Sequence, residues 1–323
     1  MTSVTTLFSP VEADLCLLAD NLKELVGARH KLLYAAAEHL FGAGGKRIRP
    51  AIVLLLARAT TPDHKISPKH RRLAEITEMI HTASLVHDDV VDESALRRGV
   101  PTVHSSFGNR VAILAGDFLF AQSSWYLANL DNLAVVKLLS RVIMDLAEGE
   151  MQQGLSRFDP ELSFDAYLEK SYYKTASLIA NSSKSVGVLS DTAPALTEQL
   201  YSYGRSLGLA FQIVDDILDF TGSEEMLGKP VGSDLRSGNL TAPVLYAMEE
   251  FSGLAALIER EFSQSGDFEQ AVDWVQSSQG IARSRQLAKQ YTQQAIESLA
   301  GLKPSESRQS LEDISEYNLR RLH

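Results

Sequence analysis

Apolar residues recur at helical spacing along almost the whole chain, and nowhere does the pattern switch to strand alternation. Between 12 and 40, Leu15, Leu18, Leu22, Leu25, Leu32 and Leu33 fall mostly three or four residues apart, the interval that places side chains on one face of an α-helix. Similar spacing predicts helices over roughly 69–98, 108–130, 132–154, 163–190, 194–221, 240–261, 267–277, 279–301 and 306–322. Pro50 suits the first turn of a further helix, AIVLLLARA. Gly99 and Pro101 are expected to stop the 69–98 helix. No run of alternating β-branched residues is bounded by hairpin turns. Only 20 glycines and 10 prolines punctuate 323 residues, so turns are few and elements long. The expectation is one all-α domain, 1–323, built as a large helical bundle. Its main irregular pieces are 156–163 and the charged, Gly-rich stretch 221–239, TGSEEMLGKPVGSDLRSGN, a composition that suits a functional loop.

Charge and cysteine usage narrow the function. A net charge of −10 argues against a nucleic-acid surface and against a polybasic membrane patch, although GGKRIRP at 44–50 is locally cationic. The one cysteine, Cys16, excludes a disulfide framework and a Cys-based zinc site, and it fits a reducing compartment. The N-terminal MTSVTTLFSPVEADL has neither the basic and apolar regions of a signal peptide nor the early arginines of a transit peptide. No segment reaches the ~18 uninterrupted apolar residues of a membrane span. AIVLLLA at 51–57 is too short, and VAILAGDFLFA at 111–121 carries Asp117. A soluble, cytoplasmic protein is expected.

Two segments echo one another: LVHDDVVD at 85–92 and QIVDDILD at 212–219. Packing does not account for them, because aspartate is seldom fully buried without a partner. On a helix, Asp88 and Asp92 form an i,i+4 pair, with His81 and Ser84 on the same stripe; Asp215 and Asp219 form another, with Gln212 a turn earlier. Same-sign pairs at this spacing destabilise a helix, so two of them point to a bound cation. A solvated acidic face is an adequate account of one DDxxD and a poor account of two. Carboxylates without a matching set of Cys or His favour Mg²⁺ or Mn²⁺ over Zn²⁺, and Mg²⁺ commonly joins protein carboxylates to substrate phosphates. Lys46, Arg49, Arg97, Arg98, Lys174 and Lys229 then suit diphosphate oxygens. The loop lacks the GxxxxGK[ST] spacing of a P-loop.

The ordered set GGKRIRP, HTASLVHDDVVDESALRRGVPTVH, SYYKTA, FQIVDDILD and GKPVGSDL resembles the trans-isoprenyl diphosphate synthases, over about residues 40–245. The resemblance implies an isoprenoid-synthase helical bundle around a central cavity, assembled as a homodimer. It implies extension of an allylic prenyl diphosphate by isopentenyl diphosphate with Mg²⁺, for which Mn²⁺ is an acceptable substitute. Carried over by motif position, Asp88, Asp92 and Asp215 are metal ligands, and Asp89, Asp216 and Asp219 are supporting carboxylates. Lys46, Arg49, His81 and Arg98 fall on the isopentenyl diphosphate; Arg97, Lys174, Thr175, Gln212 and Lys229 surround the allylic diphosphate. The anions and cations of 85–99 would then face substrate rather than each other. One departure stands out. The family often carries a Gly-Lys pair after the DL of the loop, whereas this chain reads SGNLTAP, with Asn239 in the lysine's place. The allylic diphosphate would lose one cationic contact there, and Lys229 would matter more.

Product length is expected to depend on the floor below the metal site. Short-chain members often have aromatic residues four and five positions before the first aspartate; here those positions hold Ser84 and Ala83, with Ile80 and Thr77 one turn deeper. Close helix packing through small residues is the plain alternative. Residues 80–132 also resemble a subgroup, the solanesyl diphosphate synthases of cyanobacteria and plastids, which supply the plastoquinone side chain. A long all-trans product made from a farnesyl or geranylgeranyl primer is therefore expected, in a cyanobacterial-type cytoplasm, with peripheral membrane contact for product release. The alternatives are a geranylgeranyl synthase and a terpene cyclase, whose second metal motif is of Asn-Ser-Glu type, unlike QIVDDILD. A His-Asp phosphohydrolase would need further metal-binding histidines. A non-catalytic subunit would lack intact aspartate motifs.

Overall fold

The computed structural model describes residues 7–25, 34–36, 39, 45–97, 99–222 and 230–322. A 3₁₀ turn, Ser9–Val11, leads into α1 (Glu12–Leu25), followed by α2 (Ile48–Thr60) and α3 (Pro68–Val91). A two-residue antiparallel pair, β1 (Leu96–Arg97) and β2 (Val100–Pro101), sets Leu96 opposite Pro101. Then come α4 (Val103–Phe107), α5 (Asn109–Ala128), α6 (Leu133–Leu155) and α7 (Phe164–Ser171), a π-helical turn at Tyr172–Ala176, α8 (Ser177–Leu189) and α9 (Pro194–Thr221). The chain continues through α10 (Ser233–Arg236), α11 (Ala242–Glu250), α12 (Gly253–Glu259), α13 (Asp267–Ser277), α14 (Gly280–Ser298) and α15 (Glu306–Arg320). The all-α expectation holds, since β1 and β2 amount to one small ribbon.

Three helix boundaries differ from those expected, each for a local reason. The helix predicted over 69–98 ends at Val91. Asp92 caps it, its N–H donating to Asp88 O at 2.8 Å, and Glu93 takes a left-handed φ of 50°. A left-handed residue just past the last turn is a common way to end a helix, so the chain leaves α3 before Gly99 and Pro101 are reached. The predicted 163–190 helix contains the π turn, which apolar periodicity alone does not reveal. The predicted 240–261 helix divides into α11 and α12 where Phe251 adopts ψ 88°. Capping was legible where the side chains supply it: Ser67 accepts from His70 N before Pro68, and Ser163 accepts from Ala166 N.

Contacts divide the chain into two compact units. One comprises Met1–Ile143, Asn181–Tyr201 and Leu299–Asp313; the other Met144–Ala180, Ser202–Ser298 and Ile314–His323. In the first, α2 is buried continuously from Pro50 to Ala57, and α3 contributes Leu73, Ile76, Met79, Ile80 and Ala83. Helix α5 lies close on α3 at Gly116, where an added Cβ would come within 2.2 Å of His87 Nε2. By length and composition α5 could cross a membrane, with a mean hydropathy of 1.2 over an 18-residue window of which 33% is buried. The short apolar runs considered in the sequence did not anticipate this. Its exposed stripe carries Ile113, Leu114, Ala121, Trp125 and Ala128.

In the second unit the core gathers Tyr167 from α7, Ile213, Val214, Ile217 and Phe220 from α9, and Leu240, Val244, Leu254 and Val275 beyond them. A Cβ on Gly208 would lie 2.5 Å from Ala176 Cα, and one on Gly204 would lie 2.6 Å from Ile179 O. Glycine at both positions lets α9 press against the π turn and the start of α8. Gly204, Gly208 and Gln212 are four residues apart on one face of α9, so this close approach brings Gln212 to the π turn.

Candidate active site

The first aspartate segment sits at the C-terminal end of α3. Asp88 lies in the last turn and is half-buried, while Asp92 is the exposed cap residue. Asp89, between them, is buried and does not face outward. Its Oδ1 accepts from Arg97 Nε at 2.8 Å and from Nη2 at 2.7 Å. The ribbon β1–β2 presents Arg97 to it, because the turn after Asp92 folds the chain back. One acidic and one basic residue of this segment thus pair with each other, Asp89 with Arg97, since a buried carboxylate needs a cation or several donors. Asp89 supports the site by fixing Arg97. Arg98 falls outside the described residues.

On the neighbouring helices of the same unit, Arg49 Nη1 donates to His81 Nε2 at 3.0 Å. A guanidinium has no acceptor, so His81 accepts through Nε2. The structure thus unites two of the residues expected on the isopentenyl diphosphate. Lys46 stands exposed just before α2. Between them, Arg47 takes a φ of 49° as the N-cap of α2 and forms an ion pair with Glu78 of α3. Further up α3, Ser84 is half-buried and its hydroxyl donates to His81 O at 2.9 Å. Ala83, Ile80 and Thr77 have no exposure. Thr77 donates to Leu73 O at 2.8 Å and meets Ser182 Oγ at 3.0 Å.

The second aspartate segment lies in the C-terminal turns of α9, with Asp219 two residues before Thr221, and its carboxylates part company. Asp215 is exposed and accepts from Arg321 Nη2 at 2.7 Å. Asp216 is buried; Tyr167 Oη donates to its Oδ2 at 2.6 Å and Gln212 Nε2 to its Oδ1 at 2.8 Å. Burial pushes its carboxyl up to about 7, partly offset by the Tyr167 bond. The same burial, with Asp216 alongside, raises the Tyr167 hydroxyl well above its ordinary value. Asp219 is buried too and anchors the start of α10, accepting from Ser233 Oγ at 2.8 Å and Asp234 N at 3.2 Å.

The π turn supplies the cations and hydroxyl of this half. Thr175 Oγ1 donates to Gln212 Oε1 at 2.7 Å, so Thr175, Gln212, Asp216 and Tyr167 form one hydrogen-bonded chain. Lys174 Nζ donates to Glu150 Oε2 at 3.1 Å and Gln153 Oε1 at 2.9 Å. Gly149 allows α6 this close, since a Cβ there would sit 3.0 Å from Tyr173 Cβ. A widened turn of this kind often marks a functional position. Lys229 lies outside the described residues.

Among the described residues no group of three His, Cys, Asp or Glu side chains converges on one point to hold a metal. Asp88 and Asp92, one turn apart at a helix end, still fit a hard cation that takes one or two carboxylates and completes its shell with water and phosphate.

Residues 30–275 match the polyprenyl synthetase family. The chain belongs to that family. Among polyprenyl synthetase relatives, a prenyl transferase from Synechocystis sp. is 66% identical over 323 residues, covering 100% of both chains. The chloroplastic solanesyl diphosphate synthase 1 of Arabidopsis thaliana is 54% identical, over 99% of this chain and 80% of its own length. A crystal structure of a polyprenyl synthase from Caulobacter crescentus, complexed with calcium and isoprenyl diphosphate, superposes with a TM-score of 0.90 at 35% identity, covering 99% of this chain and 98% of that one.

Three polar groups in this polyprenyl synthetase escaped sequence reasoning. Tyr167 and Lys170 precede Lys174 by seven and four residues, the interval of one helix face, and that spacing could have revealed them. Arg321 is 106 positions from Asp215, and no local pattern links the two.

Proposed function

We propose that this chain extends a farnesyl or geranylgeranyl diphosphate by successive trans condensations with isopentenyl diphosphate, and that its product is solanesyl diphosphate for plastoquinone side-chain synthesis. The observation that carries the reading is the chain Thr175–Gln212–Asp216–Tyr167 beside Lys174. It sets an ammonium and a hydroxyl next to a carboxylate-rich helix face, the surroundings that an allylic diphosphate and its metal require.

In this reading Asp88, Asp92 and Asp215 hold a divalent metal, as the family generally uses, and that metal is Mg²⁺ with Mn²⁺ as substitute. When bound, the metal supplies positive charge that stabilises the departing diphosphate. Lys174, with Lys229 and Arg97, neutralises the remaining diphosphate oxygens. Asp89 holds Arg97 in place, Asp216 holds Gln212, and Asp219 holds the loop entering α10. Thr175 and Gln212 turn oxygen dipoles toward the allylic cation. Lys46, Arg49, His81 and Arg98 bind the isopentenyl diphosphate whose double bond attacks that cation. With Ser84 and Ala83 small and Ile80 and Thr77 not aromatic, the growing tail passes this part of α3.

The whole chain acts as one catalytic domain in a homodimer. The exposed apolar stripe of α5, with Trp125 at 65% exposure, supports a partner subunit there, because contiguous exposed apolar surface is uncommon on monomers. The enzyme is cytoplasmic, consistent with its cyanobacterial relative, and touches the membrane only peripherally to release product.

The test is to incubate the purified chain with Mg²⁺, labelled isopentenyl diphosphate and farnesyl diphosphate, then size the products. A C45 product is expected. Products stopping at C20 would overturn the solanesyl reading, and no consumption of isopentenyl diphosphate would overturn chain elongation. Ser84→Phe is expected to shorten the product by one or more isoprene units; an unchanged product distribution would count against Ser84 as part of the tail's path.

A further inference from the structure

Lys170 is the most deeply buried lysine side chain whose partners are described, with 5% exposure. Its ammonium donates to a neutral group, Asn239 Oδ1, at 2.5 Å, and among the described residues it takes part in no ion pair within 4.0 Å. Burial pulls its pKa down; Asp216, Asp234 and Glu150 raise it from longer range, and Lys174 adds repulsion. A buried ammonium without a carboxylate in contact is costly, and a fold that only needed packing would place an apolar side chain there.

A second observation comes from the opposite wall. Thr241 is the residue before α11, the usual place for a hydroxyl that accepts from its own helix. Here it does not: Val244 N and Leu245 N donate to Thr241 O, the hydroxyl makes no cap bond, and Thr241 Oγ1 is buried with no hydrogen-bond partner. Thr241 is 2% exposed. Lys170, Thr241, Asn239, Lys174 and Gln212 line one pocket of about 20 Å³ together with Asp216, room for a single water-sized atom; the Asp216 carboxylate is already covered by the Tyr167 hydroxyl and the Gln212 amide. The pocket therefore offers two ammonium groups and an unused hydroxyl to one small acceptor.

We propose that Lys170 and Thr241 form an anion subsite that takes one terminal oxygen of the allylic diphosphate, with Asn239 orienting the ammonium. This deepens the reading given under Proposed function and rests on it. It also accounts for the departure at Asn239. The cation that a loop lysine would bring to this position arrives instead from α7, and Asn239 becomes its holder rather than a gap in the charge.

The subsite is tested on the full-length chain with farnesyl thiodiphosphate, an unreactive allylic analogue, titrated calorimetrically in the presence of Mg²⁺, alongside separate KM values for farnesyl and isopentenyl diphosphate. Lys170→Met is expected to weaken analogue binding about tenfold or more and to raise the KM for farnesyl diphosphate alone. Thr241→Val is expected to weaken binding about threefold, and Lys170→Met with Asn239→Lys to recover most of the loss. A folded Lys170→Met that binds the analogue within twofold of wild type overturns the subsite. So does an equal rise in both KM values, which marks a merely structural role. If Lys170→Met does not fold, Thr241→Val and Lys170→Arg decide on the same criteria. A wild-type chain that binds no analogue overturns the underlying reading instead.

Discussion

LVHDDVVD and QIVDDILD space their aspartates identically, yet the fold gives the middle residue opposite surroundings. Asp89, at the end of α3, is buried against a guanidinium. Asp216, in the C-terminal turns of α9, is buried against a phenol and a carboxamide and is held near neutrality, with its carboxyl at about 7. The third residues differ as well: Asp92 is an exposed helix cap, while Asp219 is buried and anchors the turn into α10. In both segments the first aspartate, Asp88 or Asp215, is less buried than the one that follows it. How the others are stabilised depends on what each helix packs against.

The largest effect should come from an outward carboxylate. Asp88→Ala is expected to lower turnover by at least about a thousandfold, ~4 kcal/mol of barrier, with an unchanged circular dichroism spectrum. Activity within tenfold of wild type would break the assignment of the outward pair to metal.

Next come the inward residues, where the two segments should separate. Asp89→Asn removes the anion from a partly exposed arginine and is expected to cost about 1–3 kcal/mol in urea unfolding, less than for a fully buried pair. Asp216→Asn should behave differently with pH. The folded carboxyl titrates at about 7, above its ordinary 3.8, so the stability it contributes is complete below about pH 4 and is lost as pH rises through about 7. In chelator, the stability gap between wild type and Asp216→Asn should therefore narrow from pH 5 to pH 8. A gap that widens over that range would mean Asp216 is an ionised partner like Asp89.

The smallest effect belongs to the anchor. Ser233→Ala removes one hydrogen bond to Asp219 and should cost about 0.5–1.5 kcal/mol, seen as faster amide exchange over 232–236. Unchanged exchange there would show that Asp219 does not hold the turn.

Two pairs of the candidate site were legible because their residues fall in motifs with a common expected role. His81 with Arg49, and Thr175 with Gln212, were expected in common roles and do meet. The pairing of Arg97 with Asp89 was not legible, because it depends on the chain reversing after Asp92. That reversal rests on Glu93 at φ 50°, a conformation that glutamate does not advertise. Tyr167 and Lys170 lie at helical spacing before Lys174, but neither belongs to the motifs on which the resemblance rested.

By itself the sequence determined the helical architecture, the family and the set of charged residues expected to meet diphosphate. These follow from periodicity, spacing and residue type, which are local. Only the tertiary structure decided which carboxylates are buried and what each is paired with, and that Lys170 meets Asn239. Those outcomes depend on burial and on partners tens of residues away, because the free energy of a charge is set by what surrounds it in space.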